Sequence, residues 1–148
     1  MRTTVYTDLK VTEGMVTAVT NADANLTAVD RKGYEEVMFH VSLGNSADTL
    51  SGSNYIELEV EESDDNSTFT DVANADLVRY VTGNNTGTFG VINAPTEDST
   101  SFQTAYRGNS RYVRIVLSFT GTHSTGTPIH ACYFQKAKES PTVSVTTQ

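Results

Sequence analysis

An all-β fold, an antiparallel sandwich or jelly roll of about eight strands, is predicted by three observations. Stretches such as 36–43, 56–61 and 111–119 alternate apolar and polar residues with the period of two that strand side chains follow. The 148 residues hold 23 Thr and 16 Val against 7 Leu, so β-branched side chains that suit a pleated, half-buried surface outweigh helix formers. Clusters of Gly, Asn, Asp and Ser separate the alternating stretches, and no segment offers the helical crossover of a dozen residues that a parallel sheet needs.

Residues 1–28 read as an N-terminal arm or edge strand, with short alternations at Val5–Leu9 and Val16–Val19. NADANLTAVD has no sustained helical stripe, so nothing longer than a turn or two is expected there. A sandwich domain is expected over 29–135. Its first clear strand is YEEVMFHVSLG, with Val37, Phe39, Val41 and Leu43 inward and Glu36, Met38, His40 and Ser42 on the other face. Residues 44–54 form a loop, and YIELEVEES follows, where Ile56, Leu58 and Val60 alternate with Glu57, Glu59 and Glu61.

DDNST closes that strand, and Phe69 and Val72 resume the apolar pattern. A short strand is expected at Leu77–Val81, a glycine-rich connection at GNNTGTFG, a surface loop over 91–101 and a strand over 102–106. The Gly-Asn-Ser turn within YRGNSRY predicts a hairpin into RYVRIVLSF, the strongest strand signal, with Val113, Ile115, Leu117 and Phe119 on the buried side. The last strand begins at Ile129. Its two faces, Ile129, Ala131 and Tyr133 against His130, Cys132 and Phe134, are both apolar enough for cover on each side. Residues 136–148 read as an extended C-terminal tail.

A chain of this length supports one continuous core without staples. Cys132 is the only cysteine, which excludes an intrachain disulfide and suits a small buried hydrophobe. Neither a secretory leader nor a membrane span is expected, and the net charge of −8 opposes binding to nucleic acid or an anionic membrane. The charge is segregated: Asp30–Asp76 holds 12 acidic residues with Arg31 and Lys32, whereas Arg79–Lys138 holds 6 basic residues with Glu97 and Asp98. Such halves either pair across strands within the chain or meet neighbouring molecules acidic edge to basic edge.

Catalytic patterns are missing from the sequence. His40, His123 and His130 sit in no local signature of nucleophilic or zinc chemistry, and GNNTGTFG lacks the Lys and helix of a phosphate-binding loop. Carboxylates drawn from Glu57, Glu59, Glu61 and Glu62 are spaced for glycoside hydrolysis, but the row reads better as the solvated face of an edge or outer strand. DDNST lacks the spacing of a calcium loop and reads as Asx-turn chemistry. No metal, no cofactor and no enzymatic activity are expected.

The Gly33-Tyr34-Glu35 opening of a strand, the ESDDNSTF segment at Glu62–Phe69 with Asp71-Val72, and YRGNSRYVRIVLSFTGT at Tyr106–Thr122 closed by Gly126-Thr127-Pro128 resemble small virion proteins of tailed phages and prophages, of the capsid cement or decoration type. The resemblance spans residues 29–134, and the YRG turn joined to RYVR is its most distinctive part. It implies a non-enzymatic jelly roll, made in the host cytoplasm, that binds the outside of the head. There it would act as a homodimer or homotrimer and bridge major capsid protein subunits against the pressure of packed DNA. The arm and tail would then make contacts by adding strands to a partner's sheet. Tyr34, Tyr55, Tyr106, Tyr112 and Tyr133 become candidates for self-association. Glu57, Glu59 and Glu61 would face solvent or a basic groove of the capsid subunit, with Arg107, Arg111 and Arg114 as their partners in the same chain or a neighbour. The alternatives are a carbohydrate-binding or adhesion module, suggested by Tyr106 and Tyr112 flanking a turn, and a tail or head-tail junction part.

Overall fold

The computed structural model describes residues 8–97 and 99–138. Its strands are β1 Leu9–Thr20, β2 Ala24–Asn25, β3 Val29–Asp30, β4 Tyr34–Leu43, β5 Tyr55–Ser63, β6 Thr70–Asp71, β7 Thr88–Ile92, β8 Ser101–Tyr106, β9 Tyr112–Thr120 and β10 Thr127–Ala137. The expected alternation at Val5 and the tail from residue 139 lie outside the described residues.

All pairings are antiparallel, and the first sheet runs β1-β10-β4-β8. In the second sheet β9 and β5 are central; β2 and β3 share the outer side of β9, while β6 and β7 share the outer side of β5. Counting each shared side as one interrupted strand gives eight positions. Their spatial order is first-eighth-third-sixth in one sheet and second-seventh-fourth-fifth in the other, the winding of a jelly roll.

The core forms where the apolar rows of the two sheets face each other. Val37, Phe39 and Val41 of β4 and Ile129, Ala131 and Tyr133 of β10 meet Ile56, Leu58 and Val60 of β5 and Val113, Ile115 and Leu117 of β9, all fully buried. Each large apolar side chain removed from water this way contributes about 1.5–3 kcal/mol before entropy is counted. Polar bonds also join the two sheets: Gln135 Nε2 of β10 donates to the Asp30 C=O of β3 (2.8 Å), and another such bond is made at Ile115. Ile115 lies opposite the gap between β2 and β3; its C=O accepts from Leu26 N–H (3.0 Å), and its N–H donates to Tyr133 Oη (3.1 Å). Tyr133 reaches that far because β1 has Gly14 beneath it: a Cβ there would lie 2.6 Å from the Tyr133 ring.

Three expectations are corrected. Leu77–Val81 is no strand; only Leu77 bridges to Tyr106, and the strand β7 lies instead inside the expected glycine-rich connection. The glycines there serve close packing: a side chain on Gly90 would collide with Phe102, and Gly87 (φ +86°) lies against the Val60 carbonyl. Residues 91 and 92 accordingly belong to β7, not to the surface loop. YRGNSRY is no hairpin either, because β8 pairs with β4 in one sheet and β9 with β5 in the other. It is a corner, held where Tyr106 folds over Gly108 and its hydroxyl accepts from Ser110 N–H (3.0 Å). The third correction concerns Glu57 and Glu59, which are 5% and 7% exposed, not solvated. β5 is interior to its sheet, and the segment between Val81 and Thr88 folds over its outer face.

At the far end of the sandwich, Asp48 pins residues 44–54 to the β9–β10 connection by accepting from the N–H groups of Ser124 (3.1 Å), Thr125 (2.9 Å) and Gly126 (2.6 Å). The Thr125 bond leads in holding its carboxyl below the usual range.

Tyr133→Phe is expected to lower the unfolding free energy by about 1–3 kcal/mol, since a buried backbone donor loses its partner. Urea denaturation checks this, and an unchanged midpoint would remove the crossing bond from the account of stability. Gly14→Ala is expected to lower the midpoint as well, through the ring it displaces.

Candidate interaction surface

Of the arginines and tyrosines singled out in the sequence, Tyr55, Tyr112 and Arg114 lie on the second sheet, Tyr106, Arg107 and Arg111 at the corner leading into it, and Tyr34 and Tyr133 on the first sheet; most are engaged within the chain. Arg114 on β9 is the register partner of Glu61 on β5; its Nε donates to Glu61 Oε2 (2.7 Å), and its guanidinium lies 3.9 Å from the Phe69 ring centre. Arg111 grips Asp30 with two bonds (3.0 and 2.7 Å) and covers Tyr112. Tyr106 is buried, donates to Glu62, and carries Arg31 over its ring at 4.5 Å; burial, followed by the Glu62 bond, pushes its hydroxyl up to about 12. Tyr34 and Tyr55 are half-buried at the starts of β4 and β5, with Lys10 over Tyr34, while Arg107 is exposed. The acidic and basic halves thus meet across strands inside one chain at Glu61–Arg114 and Asp30–Arg111.

Glu57 and Glu59 do not meet these arginines. Asn84 Nδ2 donates to Glu57 Oε1 (2.6 Å) and Asn85 Nδ2 to Glu59 Oε1 (3.1 Å), so both carboxylates lie under their own chain. Burial raises the Glu59 carboxyl above its usual range against the Asn85 bond. Asp30 and Asp65 go the other way, each down to about 2: Asp30 chiefly through Arg111, Asp65 chiefly through the N–H groups of Thr68 and Ser67. Asp65 also accepts from the Ser63 hydroxyl, a turn that uses its carboxylate internally. Among the described residues no group of three or more His, Cys, Asp and Glu is placed to hold a metal ion.

Among the described residues, an apolar row crosses the outer face of the first sheet. Register lines up Val11, Phe134, Met38 and Ala105 across β1, β10, β4 and β8. Val78 extends the row, because its N–H donates to Ala105 C=O (2.9 Å) while Leu77 beside it turns inward. Val11 is 56% exposed and Val78 47%. On one side of the row lie Glu13, Cys132, His40 and Gln103; on the other lie Leu9, Lys136 and Glu36. His40 stands edge-on to Phe134 (6.5 Å), and His130 Nε2 meets Glu13 Oε2 at 2.8 Å. Burial raises the Cys132 thiol.

Sequence reasoning named none of the row as site residues, although the apolar second face of 129–135 and Met38 among polar neighbours carried the signal. β1 borders this face as a twelve-residue edge strand, with register shifts after Glu13 and after Met15.

No protein-family model and no curated protein matches the chain.

The carboxyl shifts have opposite signs in stability. Asp30 and Asp65 are depressed, so what they contribute is complete above about pH 4 and is lost as pH falls through about 2. Glu59 is raised, so its cost is present at neutral pH and relieved on acidification. Glu59→Gln is therefore expected to raise the denaturation midpoint at neutral pH and to lose that gain as the pH drops. Asp30→Asn should flatten the acid-side loss. A pH-independent effect of Glu59→Gln would return this carboxylate to solvent.

Proposed function

We propose that this chain is a non-enzymatic capsid decoration protein, which binds the exterior of a tailed-phage head and bridges major capsid protein subunits. The observation that carries the reading is the twelve-residue edge strand β1, open on one side among the described strands and bordering an apolar row across the outer face of the first sheet. Contiguous apolar surface of this kind on a folded chain marks contact with another macromolecule. Several titratable groups are taken up in structural bonds: His123 Nε2 donates to Thr120 C=O, His130 pairs with Glu13, and Glu57 and Glu59 are covered by Asn84 and Asn85. The acidic surface suits a protein that stays off the packed DNA. Mechanically, such a protein resists outward pressure by adding buried contact between shell subunits, and several modest contacts on one particle act at high effective concentration. An edge strand such as β1 supplies backbone donors and acceptors to a subunit's exposed sheet.

A second reading, a carbohydrate-binding module, draws on an open, polar cleft of about 300 Å³ lined by Glu62, Ser63, Asp64, Asp65, Thr68, Thr70 and Ser110.

The test is to add purified protein to expanded phage heads and follow co-sedimentation and the temperature of head rupture. Saturable binding with a raised rupture temperature is expected. Retention on a glycan column without head binding would favour the cleft reading, and particle images with density confined to the tail would reject the head placement.

A further inference from the structure

We propose that the outer face of the first sheet binds a second copy of this chain, row on row, about a two-fold axis running along Val11, Phe134, Met38, Ala105 and Val78. Strands spaced about 4.8 Å apart and rising about 3.3 Å per residue give this face roughly 500 Å² per copy, near the lower end of what a specific interface needs. The face is built from sheet, and two such faces stack about 10 Å apart with their strands nearly aligned.

The choice of a second copy comes from the arrangement of charge. A two-fold axis lying along the row leaves each row residue opposite its own copy, so apolar meets apolar from end to end. The same rotation exchanges the two flanks. On β4, Glu36 and His40 stand at equal distances on either side of Met38, so Glu36 of one copy faces His40 of the other. On β10, Lys136 and Cys132 flank Phe134 in the same way, and Glu13 is the β1 neighbour of Cys132. Lys136 of one copy is thereby carried over the Glu13–Cys132 corner of the other. One operation buries the row, carries each Lys136 ammonium toward the other copy's Glu13 carboxylate and sets each Glu36 opposite the other copy's His40 imidazole, a self-complementarity that an unrelated partner would not require.

The rotation also leaves both β1 edges on the same side of the pair. On the decoration reading, and only there, this lets one dimer engage two neighbouring shell subunits.

The test needs no capsid. Sedimentation velocity of the full chain is expected to give twice the chain mass, falling toward the single-chain mass on dilution. Val11→Glu, at a position already more than half exposed, and Phe134→Glu are each expected to give the single-chain mass with an unchanged circular-dichroism spectrum. Phe134→Lys should do the same alone. Mixing the Phe134→Glu and Phe134→Lys proteins should restore the doubled mass, because this axis sets position 134 against itself. A wild-type chain that sediments as a monomer or a trimer, a Val11→Glu protein that stays dimeric, or a mixture that stays monomeric would overturn the proposal.

Discussion

The two sheets of this sandwich are tied by a hydroxyl that crosses the core, from Tyr133 on β10 to the Ile115 N–H on β9. Two constraints follow from that bond. β2 and β3 must leave a gap where the strand backbone would otherwise take the Ile115 donor, and β1 must carry glycine at position 14 so that the ring can pass. The bond sits in a fully apolar surrounding, where an unpaired donor costs more than the bond itself contributes. Tyr133 thus ties β10 to β9, alongside Gln135 to Asp30 and Tyr106 to Glu62, and Phe39 packs edge-on against its ring at 5.7 Å. Burial also pushes the Tyr133 hydroxyl up to about 12, so it stays a neutral acceptor.

The fold class was legible because β4, β5, β9 and β10 write their inward rows directly into the chain as alternating apolar residues. The signal failed where a residue type has two uses. Glycine in GNNTGTFG reads as a loop former, yet Gly90 is in a strand because Phe102 needs its space. Alternating glutamates read as a wet face, yet Asn84 and Asn85 arrive from residues more than twenty positions away to cover them, a pairing that no local window contains. The corner at Tyr106–Tyr112 has the letters of a hairpin; which sheet receives β9 is decided by long-range pairing with β5.

The candidate surface was legible only in part. The apolar second face of 129–135 implied a neighbour, but the row that makes it a surface is assembled from five separate stretches of chain and exists only once their register is set. The segregated charge was informative in another sense. Glu61 and Arg114, 53 residues apart in sequence, are opposite one another in the sheet, so the acidic and basic halves describe the folding partners β5 and β9.

The uneven lengths of the sheet margins carry a last implication. In the second sheet both margins are broken into short pieces, β2 with β3 and β6 with β7, and in the first sheet β8 is flanked by residues 77–79. Among the described strands only β1 offers a long bare margin. A molecule with one such margin consumes it in a single union and has no second to pass on, so assembly through it ends at a closed stoichiometry and cannot grow into a filament.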